Sequence, residues 1–201
     1  MATKRDPEAT RAAILEAAEQ AFLTKGFAEA STADIAKRAR VTKSLIHHHF
    51  GSKQQLWTEV KLRRFGQYAK GQMAMLEQSK PTAELLRESM HLYFGFLQSN
   101  PEFVRLLAWM FLECDEECMD MDQEVLSQGI ETLKRAQEEG ELRADVDPAH
   151  LLFCFLFLAE HWFQARFQLC RNLEWGSPDE AKDAAYFSDM VKIFFEGVLP
   201  R

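Results

Sequence analysis

The stretch from Ser31 to Trp57, STADIAKRARVTKSLIHHHFGSKQQLW, limits the fold most tightly, because helix start and stop signals crowd together in it. Ser31 or Thr32 can cap a short helix, ADIAKRA, since a hydroxyl can accept a hydrogen bond from an exposed amide of the first turn. Arg40-Val41 then makes a tight turn, and Thr42 caps a second short helix, KSLIHHHF. Gly51 stops that helix, because glycine takes a left-handed cap without a Cβ penalty. Ser52 opens the next one, with Gln55 three residues on to complete a capping box.

Helical spacing continues through the rest of the chain. No segment alternates apolar and polar residues over a useful length, so the fold class is all-α, with nine helices expected. The first starts at Asp6 with Pro7 in its first turn, turns Ile14, Ala18, Ala21 and Phe22 inward, and ends at Gly26. The fourth runs from Ser52 to about Ser79 with Leu62, Phe65, Ala69, Met73 and Leu76 inward. Pro81, Pro101, Val125, Asp147-Pro148 and Pro178 open the later five.

Charge divides the chain. Residues 1–64 hold 12 Lys and Arg against 7 Asp and Glu, a balance of +5, whereas the rest carries −12, within a net charge of −7. A basic head on an acidic body suggests that the head alone meets nucleic acid. The first residues carry no signal-peptide pattern, and the longest apolar run, Leu151 to Ala159, falls well short of the ~20 residues needed to span a bilayer. The chain therefore reads as a cytoplasmic protein with no membrane partner. No nucleophile-and-base pattern, phosphate-binding glycine loop or metal-ligand repeat points to an enzyme or to a cofactor.

Spacing alone fits both a helix-turn-helix and a helical hairpin within some other all-α domain. In either case Ile35, Ala36, Ala39, Val41, Ile46 and Phe50 can fix the two short helices, which leaves Lys43, Ser44, His47 and His48 outward. Neighbouring helical residues point about 100 degrees apart, so His47, His48 and His49 cannot converge on one metal ion.

The residues Thr32, Ile35-Ala36, Ala39-Arg40-Val41-Thr42, His47-His48, His49-Phe50 and Ser52-Lys53 resemble the DNA-binding motif of the tetracycline-repressor (TetR) family. The likeness covers residues 7–65 closely, while the remainder agrees in helix number and length. It implies a helix-turn-helix domain over residues 1–52 and a ligand-binding and dimerisation domain over 53–201, with the helix from Lys53 as connector. It also implies a dimeric transcriptional regulator, a repressor that leaves a palindromic double-stranded operator when a largely hydrophobic small molecule binds.

Two positions depart from the family pattern: Arg40 replaces its usual turn glycine, and His47-His48 its usual Tyr-Tyr. Lys43 and Ser44 are expected to read base edges and Leu45 to meet a thymine methyl. Thr32, Arg40, Thr42, His47, His48 and Lys53 are expected near phosphates, and His49 to seat the helix or touch backbone phosphate.

The acidic body is rich in aromatics, with 13 of the 16 phenylalanines after residue 64. Met73, Tyr93, Phe96, Trp109, Met110, Phe157, His161 and Trp162 are candidates for a pocket wall, and Glu113 for its polar anchor. HLLFCFLFLAEHWFQARF is apolar on nearly every side, so one face can pack inward and the other against a second subunit. Phe155, Leu158, Phe187, Val191, Phe194 and Val198 are the expected homodimer surface. Cys114 and Cys118, four apart beside Asp115, Glu116 and Glu117, leave a thiol- or metal-responsive regulator of the same fold as the alternative.

Overall fold

The computed structural model describes residues 6–76, 80, 82–113 and 123–198. Among the described residues there is no strand, and nine helices follow in order: α1 (Pro7–Glu29), α2 (Thr32–Ala39), α3 (Lys43–Phe50), α4 (Lys53–Leu76), α5 (Thr82–Ser99), α6 (Pro101–Leu112), α7 (Gln123–Glu138), α8 (Pro148–Asn172) and α9 (Glu180–Val198). None of them is long and apolar enough to cross a membrane. Cys114 and Cys118 lie outside the described residues. Two compact units form, one from Met1–Gly66 with Arg105–Met121 and one from Gln67–Val104 with Asp122–Arg201. Helices α4 and α6 each contribute to both.

Local chemistry sets the helix ends where the sequence places them. Asp6 caps α1 by accepting from the Glu8 amide at 3.0 Å, and Pro7 follows in the first turn, where its missing N–H costs nothing. Ser31 caps α2 through the Asp34 amide at 3.0 Å, and Ser52 caps α4 through that of Gln55 at 3.0 Å. Asp147 does the same for α8, with Pro148 next in line. Gly26 breaks α1 as expected, and only a last turn follows it. The backbone turns there to φ 78° and the helix resumes to Glu29 beyond a kink.

In the first unit Ile14, Ala18, Ala21 and Phe22 are buried as expected, against Ile35, Ala36, Ile46, Leu56, Trp57 and Val60. The Phe22 ring meets Trp57 edge-on at 4.9 Å. Buried Glu19 is answered by ion pairs to Arg64 and, at 3.7 Å, Arg63.

The expected inner stripe of α4 needs correction. Leu62 is half exposed, and the buried positions are Leu56, Trp57, Val60, Lys61, Phe65, Gln72 and Met75. A stripe counted from apolar letters assumes a single neighbour along the helix. This helix serves two units, and two polar residues, Lys61 and Gln72, lie on its buried side.

The second unit is held by rings and by the buried carboxylate of Asp183. Phe94 of α5 packs on Phe163 of α8 at 4.7 Å and Phe187 of α9 at 4.8 Å, and Trp162 stacks on Tyr186 at 4.2 Å. Asp183, almost wholly buried, accepts from the Trp162 indole at 2.8 Å and the Gln98 amide at 3.1 Å, and pairs with Arg166. Removing a base from such a charge leaves it desolvated without compensation, so this network fixes how α5, α8 and α9 meet.

Candidate nucleic-acid interface

Helix α3 presents one polar side. Ile46 and Phe50 are buried, whereas Lys43, Ser44, Leu45, His47 and His48 are exposed and His49 is half-buried. The N-cap Thr42 accepts from the Leu45 amide at 3.4 Å, and its hydroxyl meets that of Ser44 at 2.8 Å. Arg40 stands at φ 55°, ψ 42°, the left-handed conformation expected of the turn position, and it is exposed beside α3. An arginine there costs ~1 kcal/mol of backbone strain relative to glycine, and it adds a cation beside the polar side of α3.

His47 carries a proton-specific arrangement. Its Nδ1 lies 2.8 Å from the Gly51 carbonyl oxygen. A carbonyl only accepts, so Nδ1 must donate, and Nε2 of a neutral ring then shows a lone pair outward. Such a ring can accept from a base amino group; it gains a donor for phosphate only when protonated. His48 and His49 meet edge-on at 5.4 Å and converge on no ion. Among the described residues no group of three His, Cys, Asp or Glu could hold a metal.

Lys53 sits differently from the expectation of a phosphate contact. Its ammonium donates to the carbonyls of Phe27 at 2.7 Å, Ala30 at 3.1 Å and Ala28 at 3.3 Å, and it lies 4.3 Å from the centre of the Phe27 ring. It therefore caps the carbonyl end of α1, where a cation is favoured.

The amide side of the same corner is held by α6. Glu113 accepts from Phe27 N at 3.0 Å and Ala28 N at 3.1 Å, and the Trp109 indole donates to the Leu23 carbonyl at 3.2 Å. A Cβ at Gly26 would fall 2.5 Å from Glu113 Oε1 and 2.7 Å from Trp109 Cε3, so glycine is needed there for space as well as for φ. Trp109 and Glu113, expected in a ligand pocket of the body, instead secure α1 in the first unit, because the peptide corner after Gly26 offers a carboxylate two adjacent donors. Met110 also belongs to this unit.

The remaining body residues separate into three groups. Tyr93 and Phe96 share a cluster with Tyr68, whose ring lies 5.0 Å from the first and 5.5 Å from the second; Met73, on the same helix as Tyr68, is half-buried. Trp162 is tied up in the Asp183 network, while Phe157 and His161 are exposed on α8. Of the expected dimer residues, Phe155, Phe187, Val191 and Phe194 are buried inside their own unit, and Leu158 is exposed; the Val198 side chain lies outside the described residues. The strongest apolar stripe of a helix in a packed unit is the one its own core takes up. The exposed apolar surface lies opposite. Tyr186 donates to the Leu158 carbonyl at 2.9 Å, which brings α8 and α9 together at that edge, and Ile193, seven residues on from Tyr186, is 69% exposed.

Residues 14–60 match the model of bacterial regulatory proteins of the tetR family, and residues 91–191, about half of the chain, match a tetracyclin repressor-like C-terminal domain. The chain belongs to the TetR family. It is accordingly a helix-turn-helix regulatory protein of that family. It is 29% identical over 159 residues to the transcriptional repressor SCO4008 of Streptomyces coelicolor, across 77% of this chain and 79% of that one. It is 31% identical over 157 residues to the repressor BepR of Brucella suis biovar 1, across 71% and 73%. Its fold also matches that of AibR solved with isovaleryl coenzyme A and operator DNA, at a TM-score of 0.69 and 21% identity over 92% of this chain and 97% of AibR. Within the TetR frame the two departures, Arg40 and His47-His48, both fall on the exposed reading side.

Proposed function

We propose that this TetR-family chain is a repressor that holds a palindromic operator as a homodimer through α3 and releases it when a largely hydrophobic small molecule binds the second unit. The exposed row Lys43, Ser44, Leu45, His47 and His48 above buried Ile46 and Phe50 carries the reading. An α-helix with this polar side fits the major groove, where each base pair shows its own pattern of donors and acceptors. Lys43 and Ser44 read base edges and Leu45 a thymine methyl. Thr32, Thr42, Arg40 and His48 hold phosphates, His47 does so in its protonated form, and His49 seats the helix. This reading leaves Lys53 out of the set, because its ammonium already has three carbonyl partners.

Two copies are required, since one helix covers half a site and the second must follow about one DNA turn, ~34 Å, away. The dimer surface on this reading runs from Leu158 across Tyr186 to Ile193. Helix α4, from Lys53, connects the DNA-binding residues to the body, so a ligand that reseats α4 alters the spacing of the heads. Coupling of this kind needs a ligand with different affinities for the two states. The protein works by binding alone, in the cytoplasm.

Footprinting on the DNA upstream of the protein's own gene tests the reading. Lys43→Ala should lose ~1–3 kcal/mol of discrimination at one or two base pairs and keep most of its non-specific affinity. Absence of any protected palindrome at moderate salt would end the proposal.

A further inference from the structure

Among the described residues of the second unit stands an acid without a base. Three carboxylates are buried among the described residues: Glu19, Asp183 and Glu160. Glu19 has Arg64 and Arg63, and Asp183 has Arg166. Glu160, 6% exposed on α8, forms no ion pair among the described residues and accepts a hydrogen bond from the Tyr93 hydroxyl. Burial pushes its carboxyl above the usual range, against smaller opposing effects of the Tyr93 hydrogen bond and of His161 on the surface. A core that pairs its other buried acids leaves this one unpaired at a cost, since a desolvated carboxyl without a cation is disfavoured as the anion.

The surroundings resemble a recognition site more than a packing fault. One helical turn from Tyr93 on α5 stands Ser89, and one turn from Tyr68 on α4 stands Gln72. The Gln72 amide meets the Ser89 hydroxyl at 2.5 Å, so α4 and α5 run past each other with the Tyr68–Tyr93 ring pair and the Gln72–Ser89 polar pair on successive turns. Gln72 is 4% exposed, and its Oε1 has no hydrogen-bond partner among the described residues. The serine hydroxyl can serve in either sense, so this amide offers one unfilled bond as acceptor or, turned over, as donor. It asks for a polar group without fixing its charge. Glu160 fixes the charge. Tyr93, bonded to Glu160, belongs to a ring cluster with Tyr68, Phe96 and Phe155, the last 5.8 Å from it, and the faces of such rings attract cations.

We infer that Glu160, with Gln72 and the Tyr68–Tyr93 rings, is the charge anchor of the small-molecule site, and that the ligand is an apolar organic cation of the alkyl- or aryl-ammonium type. The inference rests on the reading of the second unit as a small-molecule receptor. The positive head supplies the missing partner of Glu160, one of its N–H groups fills the vacant bond at Gln72, and its apolar body lies among the rings.

Calorimetric titration of the full-length protein with decylammonium, decanol and decanoate separates charge from chain length. Decylammonium should bind about tenfold or more tightly than decanol, and decanoate more weakly than either, since each tenfold step is a modest part of the interaction of a desolvated charge pair. In Glu160→Gln, nearly the same shape without the charge, the preference for decylammonium over decanol should fall by about tenfold while decanol binding stays. Gln72→Met should weaken decylammonium a few-fold and leave the order of the three unchanged. Tightest binding of decanoate, an undiminished cation preference in Glu160→Gln, or no binding of any of the three overturns the inference. The wild-type comparison stands by itself should Glu160→Gln fail to fold. Operator binding by the same preparation without probe reports separately on the proposed function: operator bound but anion preferred sinks the ligand class alone, whereas no operator bound sinks the wider reading.

Discussion

Replacing Lys53 by methionine distinguishes a lysine that grips DNA from one that grips its own chain. The substitution keeps the length and apolar stem of the side chain and deletes the ammonium. Three carbonyl partners at 2.7, 3.1 and 3.3 Å are lost, as is the cation above the Phe27 ring. A hydrogen bond to a charged group contributes ~1.5–3 kcal/mol, but this site is half open and water can replace part of the contact. The ring adds ~0.5 kcal/mol at such exposure. A net loss of about 2 kcal/mol follows, which lowers Tm by about 4–8 °C in a chain of this size. Urea unfolding measures it directly. Operator binding titrated against salt supplies the contrast, because a phosphate contact contributes ~0.9 to the slope of log K against log salt, whereas a structural lysine contributes nothing. The expected result is a less stable protein with an unchanged slope. A slope reduced by about one with stability kept within about 0.5 kcal/mol would refute the structural reading and return Lys53 to the duplex.

Glu113→Ala should release the Phe27 and Ala28 amides, cost ~1–3 kcal/mol, and raise hydrogen exchange at those two amides first; unchanged exchange there would show that Glu113 is no cap. Ile193→Glu should shift the protein from dimer to monomer in sedimentation equilibrium and abolish cooperative operator binding, and a dimer of undiminished strength would move the interface elsewhere. Glu160 should make stability fall as pH rises. Burial raises its folded value above the unfolded ~4.3, so its contribution is whole below the unfolded value and is lost as pH climbs through the folded one. Glu160→Gln, locked neutral, should match wild type near pH 4 and exceed it at pH 8 in urea unfolding, and parallel pH profiles would exclude the mechanism.

The reading head was legible because its signals are local. Caps, turn glycines and a four-residue apolar repeat act within one or two turns, and Ser31, Thr42, Gly51 and Ser52 all do what their neighbours in sequence demand. Arg40 was legible as a left-handed residue because it stands where the resembled motif has its turn glycine. Lys53 was not. Its partners stand 23 to 26 residues earlier, and nothing in Ser52-Lys53 distinguishes an ammonium aimed at a phosphate from one aimed at a carbonyl. Glu113 is a stronger case, with partners 85 and 86 residues away. The body misled for another reason. Phe155, Phe187, Val191 and Phe194 form the stripes a helical wheel finds first, and such stripes go to the nearest core. What remains for a partner is the weaker apolar side, seen only once the core is known. Glu160 did leave a trace in the sequence, as the single acid inside LLFCFLFLAEHWF, a setting in which an ionisable residue needs a reason to be buried.

Lys53 and Glu113 together show why the corner after Gly26 suits a regulator. The peptide groups of Phe27 and Ala28 are held from both ends, carbonyls by the first residue of α4 and amides by the residue that follows α6. Opposite charges thus grip opposite poles of one short backbone segment, and that segment leads directly into α2, against which α3 is packed. Charge-assisted bonds are short and steep in distance, so a small displacement of either helix breaks them before it bends the helix. Both helices continue into the second unit. On the proposed reading, a ligand that moves α4 or α6 acts on α3 through this corner. That route predicts that Glu113→Ala uncouples the operator from the ligand: affinity for DNA persists in the variant, but ligand no longer lowers it. A variant that retains the full wild-type response to ligand would show that the signal travels through α4 alone.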